Sequence, residues 1–89
     1  MPSLSFTPHL NRFLTVRDVR SDARVLRTAL EDAFALNPQL RGYVLDDQGH
    51  LRANVAVFVD GVRCVDPVAL ADVLQPDSRV FVLQALSGG

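Results

Sequence analysis

The stretch 22–36 constrains this chain most: it reads as one amphipathic helix in a sequence otherwise made of short, strand-like runs. Leu26, Ala29, Leu30, Ala33 and Phe34 share one face, and Arg24, Arg27, Thr28, Glu31 and Asp32 fall mostly opposite, a period of about 3.6 residues. Ser21-Asp22 offers a helix N-cap. Asn37-Pro38 ends the helix, because a residue before proline is driven out of the α region. An apolar helical stripe must be buried against another layer, and the remaining residues supply strands for one.

Ser3-Leu4-Ser5-Phe6-Thr7 alternates polar and apolar, as a half-buried strand does. Pro8 stops that strand or leaves it at an edge, and 13–19 is a second, β-branched and aromatic run. The two can pair as an antiparallel hairpin across 8–12. After the helix, 38–50 mixes turns with the apolar piece Tyr43-Val44-Leu45, and Asp46-Asp47-Gln48-Gly49 is a turn. Residues 51–59 read as a strand. Asp60-Gly61 is a hairpin dipeptide from which 62–65 returns. Asp66-Pro67 can cap a short helical turn through Leu74. Pro76-Asp77-Ser78 turns the chain into a last strand over 79–84, and 85–89 is a tail. The predicted order is β-β-α-β-β-short helix-β. Its simplest packing is an α+β fold: a mixed sheet over one main helix, the β-grasp or ubiquitin-like architecture, with a domain at 1–84 and a flexible C-terminal Gly-Gly tail at 85–89.

Strand parity adds a surface. If Val57, Val59, Val80 and Val82 face the helix, then Phe58, Phe81 and Leu83 lie on the opposite, open face of the sheet. An apolar patch there marks a protein-binding site, the alternative being a loop or dimer contact that covers it. Leu86, near the tail, is a separate candidate anchor.

Size and charge exclude much else. Eighty-nine residues make one domain and bury only roughly 60–65% of the unfolded surface, which leaves little room for an internal catalytic cavity. The net charge is −1, with no basic stripe to follow nucleic acid. No apolar run is long enough to span a bilayer, and the first residues lack the basic and apolar regions of a signal peptide. A cytoplasmic protein is expected. A disulfide framework is impossible, since Cys64 is the single cysteine. His9 and His50 are far apart, with no partner at ligand spacing, so no metal site is expected. Cys64 has no nearby histidine to activate it, and no phosphate-binding loop of the G-x-x-x-x-G-K-[ST] form exists. An enzyme is not expected. All nine basic residues are arginine. Codon bias toward Arg, Ala and Leu is the favoured reading and avoidance of self-directed amine nucleophiles the other; lysine-linked chains of the protein upon itself are excluded either way.

Against this background the second half resembles a known family. Val57-Phe58-Val59-Asp60-Gly61-Val62-Arg63 is similar to the "VFVNGxxVR" segment of the MoaD/ThiS sulfur carriers. Leu74-Gln75-Pro76-Asp77-Ser78-Arg79-Val80 resembles their "L-x-D-G-D-x-V" turn into the last strand, and Gly88-Gly89 follows at the family's distance. Gly49-His50-Leu51-Arg52, after 26–45, resembles the helix and "dGxLR" hairpin of the cysteine-synthesis-type branch. The pattern departs at Asp60, where the family usually has Asn, at Ser78, where it has Gly, and at Ser87, where Ala precedes the glycines. The Pro common in the family's last strand is also absent, with Gln84-Ala85-Leu86 in that region. Two terminal glycines alone occur by chance in roughly 0.5% of chains; after a β-grasp pattern they carry more weight.

The resemblance implies a sulfur carrier. An E1-like, ThiF/MoeB-type partner would adenylate the Gly89 carboxylate with ATP and Mg, neither held by this chain. A sulfur donor would then leave a thiocarboxylate for a sulfur-accepting biosynthetic enzyme. Gly88 and Gly89, lacking Cβ atoms, would admit close backbone approach in the partner's channel. A protein modifier forming isopeptides through Gly89, and a non-catalytic β-grasp interaction subunit, are the alternatives.

Overall fold

A computed structural model describes residues 1–6 and 18–84 of the chain. The expected turn at 8–12, most of the expected strand 13–19, His9, and the tail with Leu86, Gly88 and Gly89 lie outside the described residues.

Five strands and two helices are present among the described residues: β1 (Ser3–Phe6), β2 (Val19–Arg20), α1 (Leu26–Leu36), α2 (Pro38–Val44), β3 (Val55–Val59), β4 (Val62–Arg63) and β5 (Arg79–Gln84). The strands form one sheet in the order β2-β1-β5-β3-β4. β5, last in sequence, is central: it runs parallel to β1 and antiparallel to β3. β1 pairs antiparallel with β2, and β3 with β4, so the sheet is mixed.

Alternation along the strands decides the faces. Leu4, Phe6, Val55, Val57, Val59, Val80 and Val82 are buried on the inner face, as the parity of 57, 59, 80 and 82 predicts. The α1 stripe of Leu26, Ala29, Leu30, Ala33 and Phe34 packs in the same core cluster. Asp60 and Gly61 both hold positive φ, +51° and +84°, the two-residue turn that matches strand twist and favours Asp-Gly.

Several expectations are corrected. The helix begins at Leu26, not Asp22, and has no side-chain cap. The Ser21 hydroxyl instead accepts from the Ala23 N–H and donates to Asp32. Val25 is extended and bridges Val73, which holds 23–25 out of the helix. The first helical N–H groups, which lack intrahelical partners, donate to loop carbonyls: Leu26 to Asp72 and Arg27 to Leu70, each at 2.9 Å. Residues 38–44 form a second helix rather than turns, with Pro38 in its first turn and Leu40 and Val44 buried one turn apart. The strand expected over 51–59 is confined to Val55–Val59; Leu51 makes only an isolated bridge to Leu45. The return strand stops at Arg63. No helix forms over 67–74. Asp66 Oδ1 does accept from the Val68 and Ala69 N–H groups, but Leu70 takes φ +51° with its side chain fully buried, which ends the turn.

Arg27 ties these loops to α1. Its guanidinium donates to the carbonyls of Val68 (2.7 Å), Gly49 (3.1 Å) and Ala69 (3.3 Å). Arg27→Ala is expected to cost about 1–2 kcal/mol, a fall of roughly 5–15 °C in the thermal midpoint read by circular dichroism. Arg27→Lys restores only part of that, because an ammonium lacks the planar fork that reaches several acceptors at once.

Candidate functional site

The open face of the sheet is assembled by register. Phe58 pairs with Phe81 and with Arg63, Ala56 with Leu83, and Ser5 with Phe81. The structure thus places Phe58, Phe81 and Leu83 side by side, away from the core. Phe81 is 48% exposed, Leu83 36%, and Phe58 half-buried. With Asp60, Gly61 and Arg79 they line a shallow depression of about 540 Å³. Leu86, Gly88 and Gly89 are the site residues outside the described part.

The two ends of β5 are held differently. At its start, the Asp60 carboxylate accepts from the Ser78 hydroxyl and from the Arg79 backbone N–H, each at 2.8 Å. Ser78 is buried, and its oxygen accepts from the Gln75 N–H. The hairpin turn and the last turn are therefore tied by two of the residues at which the sequence departs from the family pattern, Asp60 and Ser78, which touch each other although they lie far apart in sequence. The Arg79 N–H first, then the Ser78 hydroxyl, hold the Asp60 carboxyl below its ordinary value of 3.8. The stability from this is present above the ordinary carboxylate value and is lost as pH falls through the lower folded one. At its other end, Gln84 Nε2 donates to the Tyr43 carbonyl at 3.3 Å, which fastens the strand to α2.

Cys64 follows β4 and is half-buried. Its thiol donates to Asp72 Oδ1 at 3.2 Å and lies 3.5 Å from the Asp66 carbonyl. Burial, then the Asp72 carboxylate, push the thiol up to about 11. At pH 8 its thiolate fraction is about a hundredfold below that of a thiol at the ordinary 9.0. Iodoacetamide is accordingly expected to alkylate the folded chain about a hundredfold more slowly than the urea-unfolded chain, as read by intact mass. Among the described residues, no group of three or more His, Cys, Asp or Glu side chains is placed to hold a metal ion. None of the described helices is long and apolar enough to cross a membrane.

Solved structures share this geometry. SAMP1 from Haloferax volcanii superposes with a TM-score of 0.83 at 22% identity, over 99% of this chain and 98% of that one. The fold is the ubiquitin-like β-grasp. The Amycolatopsis orientalis BexX/CysO complex matches the β-grasp of this chain with a TM-score of 0.82 at 13% identity, covering all of both chains. Sulfolobus solfataricus Urm1 gives 0.68 at 14% identity over 94% of this chain and all of that one. These likenesses agree with the family resemblance in the sequence and, at such identities, concern the fold. No protein-family model matches the sequence. No curated protein matches it.

Proposed function

We propose that this β-grasp chain is a sulfur carrier whose working group is the Gly89 carboxylate, and that it is not itself an enzyme. The observation that carries the reading is the Gly88-Gly89 pair placed just past β5, the central strand of a β-grasp sheet. In support, the solved structures of this fold include CysO in a BexX/CysO complex and Urm1. In the proposed reaction an E1-like partner binds ATP and Mg. A Gly89 carboxylate oxygen attacks the α-phosphorus and pyrophosphate leaves. Sulfide then attacks the acyl carbon, the acyl–oxygen bond breaks and AMP departs with that oxygen. Loss of the sulfur-bound proton leaves a thiocarboxylate. Phe58, Phe81 and Leu83 would seat the partner, with Leu86 as an anchor near the tail. A sulfur-accepting biosynthetic enzyme would consume the product.

The test is intact-mass analysis after incubation with the adenylating enzyme of the same source, ATP, Mg and sulfide. A mass gain equal to replacement of one oxygen by sulfur is expected. The likeness to SAMP1, a small archaeal modifier protein, favours a second reading as a protein modifier, in which lysine amines of other proteins attack the same adenylate. High-mass conjugates without the sulfur adduct would select it. An unchanged mass would leave only a non-catalytic interaction subunit.

A further inference from the structure

The open face carries charge as well as apolar area, and the charge on its strand positions is of one sign. Register places Arg20 beside Ser3 and Ser3 beside Arg79, in the row next to the Phe58–Phe81 pair. Arg63 flanks Phe58 from β4. Arg20, Arg63 and Arg79 are all exposed, and none forms an ion pair with the described residues; the ion pair found there is Arg41–Glu31, on the helices. Among the described residues, every outward strand position on this face is apolar, Ser or Arg. The acids stand at its perimeter: Asp18 just before β2, Asp77 in the turn before β5, and Asp60, whose carboxylate is occupied by Ser78 and the Arg79 N–H. A chain with a net charge of −1 has thus gathered three of its nine arginines around its exposed phenylalanines.

We infer that this face docks a folded protein presenting an apolar centre framed by carboxylates, oriented by Arg79 and Arg20 at one end and Arg63 at the side. The inference rests on the proposed function for the partner's identity, the adenylating enzyme, and adds the chemistry and direction of its docking. β5 advances from Arg79 to Gln84 by about 17 Å, so Arg79 and Arg20 grip the end opposite the tail. Charge at a rim governs orientation and encounter, and the apolar strip between supplies contact area. Single-stranded nucleic acid also suits arginine with aromatics, but the acids at the perimeter and the overall negative charge oppose a phosphate backbone crossing the face.

The test is ATP–pyrophosphate exchange by the adenylating enzyme of the same source, with the full chain as substrate. The pair Arg63→Glu and Arg79→Glu, made together, is expected to raise KM about tenfold or more at unchanged kcat and to flatten its dependence on salt. Arg24→Glu, the same kind of charge change away from the sheet face, leaves KM unaltered. Amide spectra of each variant check the fold. If the wild-type chain is adenylated and the double variant shows the same KM and salt dependence, the docking face is overturned and the carrier reading stands. If the wild-type chain is not adenylated, the carrier reading falls. Calorimetric binding to the same enzyme then decides the face: charge-sensitive binding keeps it, and no binding overturns it. Tight binding of an oligo(dT) strand that is lost in the double variant also overturns it.

Discussion

Deleting Gly88 and Gly89 leaves the thermal midpoint unchanged and reduces thiocarboxylate formation to the level seen without the adenylating enzyme. Two physical points set this expectation. Every buried apolar residue of the described core lies between Leu4 and Val82, so the deletion removes none of it. The proposed chemistry, in contrast, needs a terminal carboxylate within bonding distance of a nucleotide phosphorus, and a misplacement of about 1 Å can cost about a hundredfold in rate. Gly88→Ala and Gly89→Ala keep the carboxylate but add a Cβ where close backbone approach is required. Each is expected to lower the rate by about a hundredfold with the fold intact, as followed by intact mass against time. A deletion variant that acquires sulfur at the normal rate would end the carrier reading.

The second large effect is on stability. Leu30 is 1% exposed, on the α1 stripe that packs in one core with β3 and β5. Leu30→Ala is expected to cost about 2–5 kcal/mol through lost transfer energy and the cavity left behind. A domain of this size has roughly 4–13 kcal/mol to lose, so a large share disappears in one substitution. Urea unfolding should show a lower midpoint at an unchanged slope. Leu36, on the same helix but 69% exposed, provides the contrast: Leu36→Ala stays within about 0.5 kcal/mol.

What the sequence made legible was local or periodic. The α1 stripe follows a helical repeat, β5 alternates, and Asp60-Gly61 is a turn by its own chemistry; all three stand as expected. The inward valines and the outward Phe58, Phe81 and Leu83 follow from the same parity. The misses arise where distant segments decide. Ser21-Asp22 reads as a cap, yet the loop at 70–73 takes that role by pairing with Val25 and accepting the first N–H groups of α1. Pro67 opens a turn that Leu70 closes at once, because its side chain is drawn into the core and its carbonyl serves Arg27. The second helix carries local signals, Pro38 at its start and Leu40 with Val44 four residues apart, which the turn-like composition of 38–50 outweighs in the sequence. Of the site, the apolar trio was visible from parity, whereas the arginine frame required the register of all five strands.

Among the described strands, the one that comes last in sequence is the one that both halves of the sheet need. Until β5 emerges, β1 and β3 have no neighbour between them, and their pairing edges stand open. A chain made only as far as β4 therefore presents bare, adhesive borders, and the sheet closes only once β5 has been added.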